Sequence, residues 1–168
     1  MGIRTDLAKE AFEYDQQNID GIQHSNFQPH AEISVEVIDI TNENASQRLQ
    51  KPMGRYVTIT AEYHRKRDVE FHEAVSQVFA DQLKTMIGQR GRTEPILVVG
   101  LGNRSMTPDA LGPRTVSKLM ITRHLIEYIP KQVDERVNSI CAITPRVLGI
   151  TGIESVDIVE SICKKINP

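Results

Sequence analysis

The run Ile96-Leu97-Val98-Val99-Gly100-Leu101-Gly102-Asn103, with Thr107-Pro108-Asp109-Ala110-Leu111-Gly112-Pro113 close behind it, decides the fold class. Four consecutive apolar residues, three of them β-branched, read as a strand covered on both faces. The two glycines that follow allow backbone conformations closed to other residues. A strand that opens into such a loop fits an open α/β sheet, where ligands and chemistry gather at the carboxyl ends of the strands.

The neighbouring segments carry the same pattern. Downstream, a helix opens at Pro113, where proline suits the first helical position, and its apolar positions Val116, Leu119, Ile126 and Ile129 continue to Pro130. Residues 137–143 form a second apolar strand, and a loop with Pro145, Gly149 and Gly152 leads to an amphipathic helix over 154–166. Strand, helix, strand, helix implies a parallel sheet. Upstream, residues 31–40 alternate as a half-buried strand, 41–50 form a short polar helix, and 55–62 form a second alternating strand that pairs with the first. Asp68 caps a long helix ending at Gly88, whose Phe71, Val75, Val78, Phe79, Leu83, Met86 and Ile87 recur at helical spacing as a core stripe. Residues 5–14 read as a short helix capped by Thr5, and residues 15–30, rich in Gln, Asn, Gly and Pro, as a mobile surface loop. The expectation is a single α/β domain over 1–168, with a parallel or mixed sheet flanked by helices, stopping before its last strands.

Composition narrows the function classes. A chain of 168 residues, 39% hydrophobic and 25% charged, can bury a core. Twenty basic and twenty-two acidic residues leave a net charge of −2, which gives no global field for nucleic acid or an anionic membrane. The basic run His64-Arg65-Lys66-Arg67 lacks interleaved aromatics and reads as a solvated turn. Cys141 and Cys163 sit in no Cys-x-x-Cys or Cys/His pattern, so they read as core thiols, with no disulfide framework and no metal site. No apolar run reaches membrane-spanning length and the N-terminus lacks a signal core, which leads to the expectation of a cytoplasmic protein.

Several catalytic motifs fail on inspection. Gly100-Leu101-Gly102-Asn103-Arg104-Ser105 lacks the third glycine of a dinucleotide loop, and no Gly-Lys-Ser/Thr follows. There is no nucleophile elbow and no His-Glu-x-x-His, and His124 reads as a packed or surface histidine rather than a ligand. Asp109 is the candidate. Pro108 has a fixed φ and pushes Thr107 toward an extended conformation, so the approach to this carboxylate is stiff. Two readings stay open for Asp109: a catalytic group, or a turn-forming residue or cap of the next helix.

Together these residues resemble the spore germination protease family, endopeptidases that degrade small acid-soluble spore proteins when spores germinate. Four segments carry the resemblance in order: Arg4-Thr5-Asp6-Leu7-Ala8; Val98 to Asn103 with Thr107 to Pro113; Thr122-Arg123-His124-Leu125; and Thr144-Pro145 with Leu148-Gly149-Ile150-Thr151-Gly152-Ile153-Glu154. The resemblance implies a protease using two aspartates and no cofactor. Asp109 matches the first. The second lies in the family on the strand after the last helix, within an Asp-Ala-Leu motif, and this sequence ends at Pro168 before reaching it. A carboxylate dyad works because one group holds a proton while the other, ionised, activates water. The expectation is therefore that this chain is the N-terminal part of the enzyme and inactive alone.

The active-site loop expected here comprises Gly100, Gly102, Asn103 and Thr107, with the backbone N–H groups of Gly100, Gly102 and Asn103 offered to a developing oxyanion. The resemblance further implies a substrate cleft walled by Thr151 and Gly152, self-processing around Asp6 and Leu7, a homotetramer, the spore core as compartment, and no direct nucleic-acid or membrane partner. The implied fold is that of the hydrogenase-maturation proteases, which gives one rival, a metal-dependent maturation-type endopeptidase with a metal at Asp109. A second rival is a noncatalytic binding or assembly fragment using residues 15–30 and an exposed sheet edge.

Overall fold

A computed structural model describes residues 7–15, 20–62 and 69–168. The expected Thr5 cap, Asp6, the basic run 64–67 and the Asp68 cap lie outside the described residues. The chain forms two compact units, Met1–Gly88 and Gln89–Pro168. One holds an antiparallel sheet and the other a parallel one, each with helices, so the architecture is mixed α/β.

In the first unit the sheet runs β1 (Ile22–His30), β2 (Ile33–Ile40), β3 (Gly54–Ala61), in that spatial order and antiparallel throughout. The expected pairing of the two alternating strands is present, with Val35 opposite Ile59 and Ile38 opposite Tyr56. β1 corrects the expectation of a loop, since residues 22–30 pair with β2 along nearly their whole length. Its polar sequence hides it because an edge strand is held by backbone hydrogen bonds, and eight of its nine side chains are exposed. Pro29 lies where the register shifts between Phe27 and His30, a site at which a strand tolerates a missing donor.

Being central, β2 is covered on both faces, more deeply than its alternation suggests. One face packs Ile38 and Ile40 against Ala8 of α1 (Ala8–Asp15) and Ala45 and Leu49 of α2 (Glu43–Leu49). Asn42 caps α2 by accepting the Ala45 N–H at 2.9 Å. Glu36 is buried although charged, and its carboxylate meets Lys9 Nζ of α1 at 2.9 Å and His24 Nε2 of β1 at 3.0 Å. The ring of His24 lies 4.7 Å from that of Phe12, so α1 is tied to the sheet by charge as well as by packing. Further along β2, Arg55 on the paired strand grips Asp39 with two hydrogen bonds of 2.7 and 2.8 Å, and those bonds hold the pKa of the Asp39 carboxyl below its usual value.

The helix after β3, α3 (Val69–Ile87), forms as expected, but its apolar stripe is only partly core. Phe71 is buried, whereas Phe79, Leu83 and Met86 are 45%, 38% and 43% exposed.

In the second unit β4 (Ile96–Val99) and β5 (Ile140–Ile143) pair in parallel, Ile96 opposite Ile140 and Val99 opposite Ile143. Their side chains are half-buried rather than fully covered. The helix expected from Pro113 to Pro130 is two short ones, α4 (Leu111–Val116) and α5 (Arg123–Tyr128). The break has a physical cause at Thr122, which is buried, donates its hydroxyl to Asn138 O, and accepts the Ile140 N–H at 2.9 Å. The Thr122 N–H also donates to Ile140 O at 3.0 Å. These bonds draw residues 117–122 onto the start of β5 and away from helical pairing. Beyond β5, α6 (Leu148–Thr151) is a single turn and α7 (Ser155–Ile166) is the expected amphipathic helix. Among the described residues no helix is long and apolar enough to cross a membrane.

Two substitutions test this account. Asn42→Ala should lower stability by about 1 kcal/mol in urea unfolding, the usual worth of such a cap. Because the Asp39 pKa is lowered in the folded state, its contribution is complete above the unfolded carboxylate value of about 4 and fades as pH falls through the folded value. Arg55→Gln should return the Asp39 carboxyl resonance to an ordinary titration midpoint, and its difference from wild type in urea midpoint should shrink below about pH 4.

Candidate active site

The loop after β4 is built by backbone packed on backbone. The Gly100 N–H donates to Ile143 O at 2.9 Å, extending the parallel pairing by one residue beyond β4. A side chain at Gly100 would run into Gly112 O and come within 2.7 Å of Val116 Cγ2, and one at Gly112 would strike Leu101 O. The strand exit and the start of α4 thus touch at a distance only glycine permits. Gly102 has φ +124°, and a Cβ there would strike Asp109 O and lie 2.8 Å from Asp109 Oδ1.

Asp109 is held above this floor. Residues Thr107–Asp109 form a 3-10 turn in which the Asp109 N–H donates to Met106 O at 2.9 Å, and Met106 N–H donates to Asn103 O at 3.0 Å. The Asn103 N–H closes the loop on Asp109 O at 2.9 Å, while Asn103 Oδ1 accepts the Ser105 N–H at 3.0 Å. The cap position of α4 is Ala110 and no side chain caps that helix, so the capping reading of Asp109 does not describe this loop. The Asp109 side chain is exposed, and among the described residues its carboxylate accepts no hydrogen bond and joins no ion pair. It is a carboxylate delivered by a rigid backbone and left unengaged.

The expected oxyanion donors need correction. The N–H groups of Gly100 and Asn103 are both occupied, by Ile143 O and Asp109 O, so these residues tie the loop together. Gly102 N–H has no backbone acceptor among the described residues. Thr107 contributes its carbonyl, which accepts the Ala110 N–H at 3.4 Å.

Beside the loop lies a cavity of about 150 Å³ lined by Gly102, Asn103, Arg104 and Ser105 of that loop, by Pro113, and by Thr144, Arg146 and Ile150 from beyond β5. Gly102 is common to the cavity wall and to the floor under Asp109. Thr151 and Gly152, expected as cleft walls, do not line it. The Thr151 hydroxyl is turned into its own segment, donating to Ile153 O at 2.9 Å and accepting the Ile153 N–H at 3.2 Å. Arg104, Thr144, Arg146 and Ile150 went unrecognised as lining residues. The signal was present, because Thr144 to Arg146 directly follow β5, and the rule that sites form at the carboxyl ends of parallel strands applies to both strands of the pair. Arg146 is also one of three non-glycine residues with positive φ among the described ones, at 67°.

His124 is exposed. Cys141 is half-buried, its thiol donates to Ile96 O at 3.5 Å, and burial pushes its pKa up, which disfavours the thiolate. Among the described residues no three His, Cys, Asp or Glu side chains cluster as a metal site.

Comparison with known proteins settles the family. The profile of the family described as Germination protease matches residues 3–168. The chain belongs to the germination protease family. It is 40% identical to the germination protease of Clostridium tetani over 172 residues, covering 100% of this chain and 53% of that protein. It is 44% identical to that of Clostridium perfringens, covering 99% and 52%, and 40% identical to that of Priestia megaterium, covering 99% and 47%. The chain thus spans about half the length of these germination proteases.

The loop geometry predicts a sharp sensitivity at one position. Gly102→Ala adds a methyl group against Asp109 and requires a positive φ from alanine, so it should cost about 2–4 kcal/mol in thermal or urea unfolding. A loss below about 0.5 kcal/mol would show that the loop relaxes freely and does not hold Asp109 in place.

Proposed function

We propose that this chain forms part of a spore germination endopeptidase that cleaves small acid-soluble spore proteins, with Asp109 as one of two catalytic aspartates. The observation that carries the reading is the Asp109 carboxylate itself, exposed and unengaged on a closed backbone loop, in a chain of the germination protease family. In this mechanism Asp109 acts as general acid or base on the attacking water or the leaving amine, opposite a second carboxylate. Gly102 N–H is the loop donor available to the tetrahedral oxyanion. Gly100, Asn103 and Thr107 fix the loop, and Thr151 and Gly152 support the segment that carries Ile150 into the cleft wall.

The further parts of the reading rest on the resemblance. They are self-processing around Asp6 and Leu7, assembly as a homotetramer, residence in the cytoplasm of the spore core, and a hydrogenase-maturation-like fold for the β4 loop region. The metal-dependent alternative has no observation in its favour, and the binding-fragment alternative loses its loop because residues 22–30 are strand.

The test is cleavage of a small acid-soluble spore protein followed by mass spectrometry, using this sequence joined to the second half carried by its relatives. Asp109→Asn should reduce the rate by at least 10³-fold while leaving the unfolding midpoint close to wild type, and a chelator should leave the rate unchanged. Retained activity in Asp109→Asn would remove Asp109 from the mechanism, and loss of activity on chelation would replace the dyad with a metal.

A further inference from the structure

Asn103 has a side-chain donor that the loop does not use. Its backbone groups are both spent, the N–H on Asp109 O and the carbonyl on the Met106 N–H. Its side-chain oxygen accepts the Ser105 N–H at 3.0 Å. A backbone N–H can meet only the oxygen of a primary amide, so this bond fixes which end of the Asn103 side chain serves the loop and leaves the NH2 group over. That group has no acceptor among the described residues, and Asn103 is half-buried in the lining of the cavity beside Asp109. A donor held there without an acceptor forfeits hydrogen-bond energy, which an incoming oxygen restores.

The preceding residue presents a second donor. The Gly102 N–H is likewise without an acceptor among the described residues, and Gly102 forms the floor under Asp109, a Cβ built there lying 2.8 Å from Asp109 Oδ1. Two successive residues therefore offer N–H groups beside one carboxylate. One is set by the backbone and the other by an amide pinned at its oxygen, so neither has to reorient when charge appears. The hydroxyls of Ser105 and Thr144 in the same lining turn about their C–O bonds and have no such fixed direction.

We propose that the Asn103 side-chain amide is a catalytic group which, with the Gly102 N–H, holds the carbonyl oxygen of the peptide bond being cut. In the addition step the water oxygen bonds to the carbonyl carbon, the ionised carboxylate of the dyad takes the water proton, and the C=O π pair moves onto the oxygen, where the two N–H groups receive it. In the collapse step that pair re-forms the C=O bond, the C–N bond breaks, and a dyad carboxylic acid delivers its proton to the leaving nitrogen. The amide only donates hydrogen bonds and keeps its own protons throughout. The inference rests on the endopeptidase reading for the reaction, and it adds a residue whose contribution lies in the transition state.

Steady-state cleavage of a small acid-soluble spore protein, by this sequence joined to the second half carried by its relatives, tests the assignment, with urea unfolding followed alongside. Asn103→Asp and Asn103→Ser both keep an oxygen for the Ser105 N–H and both lack the NH2 donor. Each should lower kcat about 10²-fold, with KM within about twofold of wild type and the unfolding midpoint unchanged. Serine adds no charge beside Asp109, so the pH profile of kcat in Asn103→Ser should keep the wild-type shape. Asn103→Ala loses the Ser105 bond as well, and should unfold at lower urea while losing no more rate than Asn103→Ser. Wild-type kcat in Asn103→Asp and Asn103→Ser, with activity lost only in Asn103→Ala, would make the residue a loop tie and overturn the inference. So would a raised KM at unchanged kcat, which marks binding of the ground state. Either result beside an inactive Asp109→Asn leaves the endopeptidase reading standing, whereas full activity in Asp109→Asn would sink that reading and this inference with it.

Discussion

The second unit depends on one steric constraint: between the end of β4 and the start of α4 there is no room for a side chain. Gly100 faces Gly112, and Gly102 faces the backbone and carboxylate of Asp109. Three absent Cβ atoms let two backbone segments meet, and once they meet, Asn103 can close on Asp109 and the 3-10 turn can form between them. A carboxylate on an ordinary exposed loop samples many positions. Here the backbone that carries Asp109 is fixed by main-chain contacts that no rotamer change can undo.

The first unit solves a different problem. Its central strand is buried on both faces and yet carries Glu36, whose carboxylate is met from two elements at once, by the Lys9 ammonium on α1 and the His24 ring on β1. A buried carboxylate with one partner removed is strongly destabilising, so the three groups specify where α1 lies on the sheet rather than only adding to its adhesion. Hydrophobic contacts through Ala8, Ile38, Ile40, Ala45 and Leu49 supply the bulk of the core, and the charged cluster gives them a register.

How much of this was legible in the sequence follows from what kind of interaction holds each part. β2, β3, β4, β5, α3 and α7 announce themselves through apolar periodicity, because side-chain burial creates them. β1 is held by its backbone at a sheet edge, and a backbone ladder leaves no trace in Gln23-His24-Ser25-Asn26. The long helix expected after Pro113 failed for a related reason: Val116, Leu119 and Ile126 keep helical spacing, while a single buried hydroxyl at Thr122 overrides it. At the site, glycine and proline spelled out the loop and Asp109, since those residues constrain the backbone directly. The arginines on the cavity wall were missed because Arg104 and Arg146 are far apart in sequence and reach one cavity only through parallel pairing of β4 and β5. The α3 stripe shows the converse, a helical pattern of core type whose Phe79, Leu83 and Met86 stand exposed.

Thr122 has a dynamic meaning as well. Its hydroxyl and amide link the turn between α4 and α5 to Asn138 and Ile140 at the entrance of β5, while Ser139 bonds Arg92 and Ile96 at the entrance of β4. Freeing residues 117–122 therefore means breaking bonds to the same short segment that starts the parallel pair, and the turn and the sheet open as one cooperative unit. The amino ends of both strands are clamped together in this way.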